Sequence, residues 1–289
     1  MTCCGVQSTT AQDRKRSGSR IYETVDLKTR DGLKLKAYYF ESEKEKKAVP
    51  VLLVHAWEGQ SSQYFPLYKA LHAAGHAVLV VDYRGHGKSD RTIRLPNGRE
   101  KELTPKQMGR RDVEAIVQMD LEAAKGFLKE KNNDGKLNLN ALVVAGVGEG
   151  CVMAVQWAVI DWKFPSVGRV KQGQDVKGLV LISPKKLVKG ISIEPIYNNR
   201  ALVALPIMVI GSEQSRDASD TRQIIKRIQG MKRRFGRGNI ERFDEIMAPT
   251  TLVGASLING YDKVVPAVVD FVDREIKVDD EVNRWVARE

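Results

Sequence analysis

Two nearly continuous apolar runs, Val49–His55 and Ala77–Tyr83, constrain this chain more than any other feature. A strand buried on one face alternates apolar and polar residues. A strand buried on both faces does not, and such runs belong to parallel sheets covered by helices. Between the two runs, Phe65, Leu67, Ala70, Leu71 and Ala74 recur at near-helical spacing over Tyr64–Ala74, and Gly75 supplies a stop. Strand, helix and strand in that order form a βαβ unit.

The pattern continues downstream. Asp112–Glu130 reads as an amphipathic helix with Val113, Ile116, Val117, Leu121, Ala124, Phe127 and Leu128 on its inner face. Strands are expected at Ala141–Ala145, Val176–Ile182, Leu205–Ile210 and Thr250–Ala255, with helices at about 149–159, Ala218–Met231 and Val264–Ile276. Ser89–Arg111 reads as a polar loop containing Pro96-Asn97-Gly98. Upstream, Ile21–Leu27 and Leu33–Phe40 roughly alternate around Asp31-Gly32, a pair suited to a hairpin turn. The fold class is therefore α/β, with a mostly parallel central sheet and helices on both faces.

Length and composition suit one such domain over 21–289, preceded by a polar, basic N-terminal arm over 1–20. No apolar run approaches the roughly 18 residues a membrane-spanning helix requires. As it stands, the chain reads as soluble and cytoplasmic. Export is the alternative if the true start lies upstream, because Cys3-Cys4-Gly5-Val6 before Thr9-Thr10-Ala11-Gln12 has the composition of a signal-peptide tail. The three cysteines, Cys3, Cys4 and Cys151, match no zinc or disulfide spacing, so neither metal nor cofactor is expected.

A net charge of +11 marks a basic protein and admits an anionic partner. The densest cluster is Lys226-Arg227, Lys232-Arg233-Arg234 and Arg237, with Lys232, Arg233 and Arg234 as anion-binding candidates. Phe235 is the only aromatic residue inside it, which disfavours a single-strand nucleic-acid surface. The favoured reading of these cations is a solvated helix end, where positive charge near the C-terminus is stabilised. Nucleic acid and anionic membrane are thus less favoured partners than a small molecule or a protein.

The strand at Ala141–Ala145 leads into Gly146-Val147-Gly148-Glu149-Gly150. This turn has the frame G-x-S-x-G, in which a serine sits on a sharp strand-to-helix turn, with glycine at the serine position. Upstream stand His55-Ala56-Trp57-Glu58-Gly59 and Asp82-Tyr83-Arg84-Gly85-His86-Gly87-Lys88-Ser89. These are similar to the H-G-x-x-G and D-x-R-G-x-G-x-S loops of the α/β-hydrolase fold. In this order, the three motifs resemble that superfamily over nearly the whole chain, with at most a small lid between Ser183 and Leu205.

The resemblance implies a Ser-Asp-His triad, and each position departs from it. The nucleophile position is Gly148, which has no side chain to activate. The acid is expected near Gln214, with Glu213 and Asp217 close by. The base is expected near Asn259. The four histidines, His55, His72, His76 and His86, all precede the turn. His55, Ala56, Trp57 and Glu149 would line an oxyanion-like pocket, since the backbone N–H after the nucleophile needs no particular side chain. The Glu149 carboxylate could also fill that pocket itself. Ser61, Ser62 and Ser183 are expected near the mouth without occupying an activated turn, and Cys151 just beyond the elbow, pointing inward. The expected function is a non-catalytic binder of a small molecule or protein; an ester or amide hydrolase with a rearranged site is the alternative.

Overall fold

Eight strands form one sheet in the order β1-β2-β4-β3-β5-β6-β7-β8. The computed structural model describes residues 21–95, 97–168, 171–236, 240–279 and 281–288, so the expected arm over 1–20 lies outside the described residues. The strands are β1 (Glu23–Lys28), β2 (Lys34–Phe40), β3 (Pro50–Val54), β4 (Ala77–Val81), β5 (Leu142–Val147), β6 (Val176–Ile182), β7 (Ile207–Ser212) and β8 (Phe243–Ala248). β1 and β2 form the expected hairpin, and β2 joins β4 antiparallel. From β4 to β8 every pairing is parallel.

The helices are α1 (Phe65–Ala73), α2 (Arg110–Ala115), α3 (Leu121–Asn133), α4 (Gly150–Trp162), α5 (Pro195–Asn198), α6 (Arg200–Ala204), α7 (Ala218–Phe235), α8 (Gly254–Gly260) and α9 (Val264–Glu275). Alternate residues of each central strand serve opposite cores. Leu52 and Val54 face the core made with α3, α4 and α7, whereas Val51 and Leu53 face the core made with α1 and α9. This is why β3 and β4 read as unbroken apolar runs.

Two expectations are corrected. The last strand is Phe243–Ala248, not Thr250–Ala255, and the latter segment is a loop leading into α8. An edge strand pairs on one side only, so Phe243–Ala248 tolerates Asp244 and Glu245 and lacks an apolar run. The helix expected at Asp112–Glu130 starts at Arg110 and is interrupted by a π-helical turn at Ile116–Asp120. The polar loop before it contains a short hairpin, Thr92–Arg94 with Glu100–Glu102.

The π turn has a partner. It delivers the fully buried Asp120 to Arg84, whose Nη2 lies 2.6 Å from the carboxylate, while Nη1 reaches Asp31 at 2.7 Å. Arg84 thereby ties the hairpin tip to the helix. Asp82, in the same motif, accepts from Ser61 N at 2.6 Å and Lys88 N at 3.1 Å. The end of the chain is strapped across α3 and the entry to β5. Asn132, Asn133, Asn138 and Asn140 each donate a side-chain N–H to a backbone carbonyl within 283–288, and Arg288 pairs with the buried Asp175. Among the described residues, no helix is long and apolar enough to cross a membrane.

Candidate functional site

The turn after β5 sits where the three motifs converge. Gly148 has φ +58°, a left-handed conformation that disfavours any residue with a Cβ. Its N–H donates to Ile182 O at 2.9 Å, tying it to β6. A Cβ added at Gly150 would lie 2.3 Å from Val54 O, so this glycine allows α4 to start against the end of β3. A Cβ added at Gly148 would meet the Ala56 methyl at 3.1 Å. Ala56, where the motif has glycine, therefore crowds the position from which a nucleophile side chain would project.

Glu149 stands at the start of α4 without bonding the helix's own N–H groups, and its Oε2 accepts from Trp57 N at 3.3 Å. The loop after β3 thus offers an N–H beside the turn, and the chain's own carboxylate holds it. Trp57 is fixed from the other side by Nε1 donating to Pro105 O at 3.2 Å, and Lys189 lies 5.6 Å from its ring centroid. Behind the loop, His55 is fully buried and stacks on Tyr83 with centroids 3.8 Å apart. Its Nδ1 bonds Ala56 O at 2.8 Å, and its Nε2 has no partner among the described residues. Burial, reinforced by the neighbouring His86, lowers the His55 pKa to about 3. His86 is also buried, with its pKa lowered by the same cause.

The loop after β7 meets the loop that leads into α8. Gln214, exposed after β7, donates its N–H to Thr250 O at 3.2 Å. Gly254 N donates to Ser183 Oγ at 2.9 Å, and a Cβ at Gly254 would approach Val147 Cγ1 at 3.8 Å. The segment that reaches the turn is therefore 250–254. Asn259 lies further along α8, exposed, with Nδ2 on Gln63 O at 3.0 Å. Asp217 pairs with Lys185 at 2.6 Å.

Ser183 was expected to sit outside any strained turn, yet it is buried with φ +49° at the end of β6. Only backbone geometry gives that signal; nothing in the residue identities does. Cys151 is buried behind the turn, its Sγ 3.6 Å from Ile182 O, and burial pushes its thiol pKa well up. Among the described residues no group of His, Cys, Asp or Glu is arranged to hold a metal ion.

The family model described as serine aminopeptidase, S33 matches residues 44–229, more than half of the chain. The chain belongs to this family of α/β-hydrolases. No curated protein sequence matches it. Among solved structures, the S33 chain is similar to the esterase Pf2001 of Pyrococcus furiosus, at 17% identity and TM-score 0.60, over 88% of this chain and 91% of that one. It is similar to the α/β-hydrolase GrgF of Penicillium sp. sh18 at 13% identity and TM-score 0.59, covering 88% and 99%. A fungal esterase of Rhizomucor miehei follows at 12% identity and TM-score 0.55, covering 89% and 84%. At these identities the likeness is one of fold.

The basic cluster of the S33 chain divides. Lys232 is buried, its ammonium donating to Val203 O at 2.9 Å and Leu205 O at 2.7 Å, and burial lowers its pKa to about 8. Arg227 is engaged by Glu194 and by the hydroxyl of Tyr197. Arg233 and Arg234 are exposed, whereas Arg237 lies outside the described residues.

Proposed function

We propose that this S33-family chain is a non-catalytic member, one α/β unit over 21–289 that uses the scaffold to hold a small molecule or protein partner. The observation that carries the reading is the mutual fit of Gly148 and Ala56. Glycine occupies the left-handed elbow position, and the alanine methyl stands 3.1 Å from where its Cβ would be. The Glu149 carboxylate supports the same reading by holding the Trp57 N–H, a donor that an oxyanion would otherwise use. Because the last strand ends at Ala248, the base position falls within 250–254, Thr-Thr-Leu-Val-Gly, which contains no group able to take a proton near neutral pH. On this reading, Gln214 beside Thr250 is the acid position.

A second reading, a hydrolase of esters or amides with a rearranged site, draws on the family and on the positive φ of Ser183. It lacks a base. His55, with its pKa near 3, is neutral and a poor proton acceptor at pH 7. Labelling by a serine-reactive fluorophosphonate, together with turnover of simple aryl esters, tests both readings. The expected result is neither labelling nor turnover. Clear turnover abolished by one point substitution, Ser183→Ala for instance, would overturn the proposal.

A further inference from the structure

Three strands along the sheet from the elbow, a cavity of about 420 Å³ opens between the β1–β2 hairpin and the start of α1. Its walls carry five aromatic rings: Tyr22 just before β1, Tyr38 and Phe40 on β2, and Phe65 and Tyr68 on α1. Tyr22 meets Tyr38 edge-on at 5.7 Å, and Phe40 lies 5.3 Å from Tyr22 and 5.8 Å from Tyr68. Phe65 stands at the rim, 41% exposed. A volume of this size, with an aromatic wall and a polar side formed by Gln60, Ser61 and Ser62, is that of a small-molecule site.

The polar group that gives this cavity its character is Asp82, at the end of β4 and only 2% exposed. Its oxygens accept from the N–H groups of Ser61 and Lys88, which carry no charge. No ion pair among the described residues includes it. The carboxylate is thus hydrogen-bonded without a direct ion pair among the described residues, and it is felt nearby. Burial, with Asp82 as a further cause, raises the pKa of both Tyr38 and Tyr68. Ring faces carry negative potential as well. Carboxylate and aromatic walls therefore favour the same guest, an apolar body bearing a positive charge. The opposing group is Lys88, exposed and also lining the cavity.

From this convergence we infer that the cavity is a binding site for a small organic ammonium ion, quaternary or alkylated. The site stands on other residues than the elbow, so it holds whether or not the elbow is catalytic.

Calorimetric titration of the full-length protein with choline and with its neutral isostere 3,3-dimethyl-1-butanol tests it. Choline should bind at least about tenfold tighter, since only the charge differs. Tyr22→Leu, which removes one ring wall, should weaken choline severalfold and leave the neutral isostere nearly unchanged. Lys88→Gln should strengthen choline binding, because it removes the cation that lines the cavity. Asp82→Asn should abolish the preference for choline, and the Tyr22 and Lys88 variants decide the matter if that protein does not fold. Equal binding of the two ligands, no saturable choline binding in the millimolar range, or weaker binding in Lys88→Gln would each overturn the inference. Ester turnover, measured in parallel, reports on the elbow separately.

Discussion

Placing a serine at the elbow should cost stability and yield no hydrolysis. In the Gly148→Ser variant the new side chain must adopt φ near +58°. A non-glycine residue held in that region costs about 1–3 kcal/mol. Its Cβ would also lie 3.1 Å from the Ala56 methyl, closer than ordinary contact, so the loop after β3 must yield. Crowding of this kind adds about 1 kcal/mol at the low end of overpacking costs. Together these give about 2–4 kcal/mol, read as a lower urea midpoint at unchanged slope. Ala56→Gly introduced with Gly148→Ser should recover the crowding share, about 1 kcal/mol. Introduced alone it should cost about 0.5–1 kcal/mol through the greater freedom of the unfolded chain. The two substitutions are thus coupled, and a double-mutant cycle measures the coupling directly. Wild-type stability in Gly148→Ser, or the same effect of Ala56→Gly in both backgrounds, would refute the reasoning. Efficient ester hydrolysis by the single variant would show that a working base lies near the turn after all.

Three further outcomes are expected. Arg84→Met removes the charge partner of the buried Asp120 and should lower stability by about 3–5 kcal/mol in urea unfolding; adding Asp120→Leu should recover only part of the loss, because the backbone N–H at position 84 then loses its acceptor. His55→Phe keeps a ring against Tyr83 and removes a buried imidazole. Because the folded-state pKa of His55 is about 3 against an ordinary 6.5, the unfolded chain binds the extra proton between those values. Wild-type stability therefore falls as pH drops through that window, and the variant should show a shallower fall when urea midpoints are compared at pH 6.5 and 4.5. Cys151, buried with its thiol pKa pushed up, should resist iodoacetamide in a Cys3→Ser/Cys4→Ser background until the protein unfolds; fast labelling under native conditions would contradict its burial.

The parts of the fold legible in the sequence are those whose burial is two-sided. Val176–Ile182 is found at its expected bounds, because both faces of β6 are covered and nothing polar interrupts the run. β8 was hidden for the opposite reason. As an edge strand it carries Asp244, which pairs with Arg274, and Glu245, which accepts from Gln229, and it therefore resembles a loop. The apolar residues of Thr250–Ala255 belong instead to the approach and first turn of α8. The π turn was illegible because its cause, Arg84, lies far away in sequence. The aromatic cavity was hidden in the same way. Its rings come from a hairpin and a helix, its carboxylate from the end of a third element, and no local pattern links them.

On the proposed non-catalytic reading, a glycine at the elbow does not leave a simple gap. The left-handed turn is imposed by its surroundings: Gly148 N–H is held by Ile182 O, and α4 begins against the backbone of β3 at Gly150. Those constraints persist whatever stands at position 148. Once that residue is glycine the backbone strain disappears, and space opens for a methyl at Ala56. The donor at Trp57 then needs an acceptor, since an unpaired N–H shielded from water is costly. Glu149 supplies one from the adjacent position, where the start of α4 favours a carboxylate. Each of the three residues thus makes the others tolerable. Restoring one alone works against the remaining two, so on the proposed reading a serine at position 148 would need coordinated changes at Ala56 and Glu149.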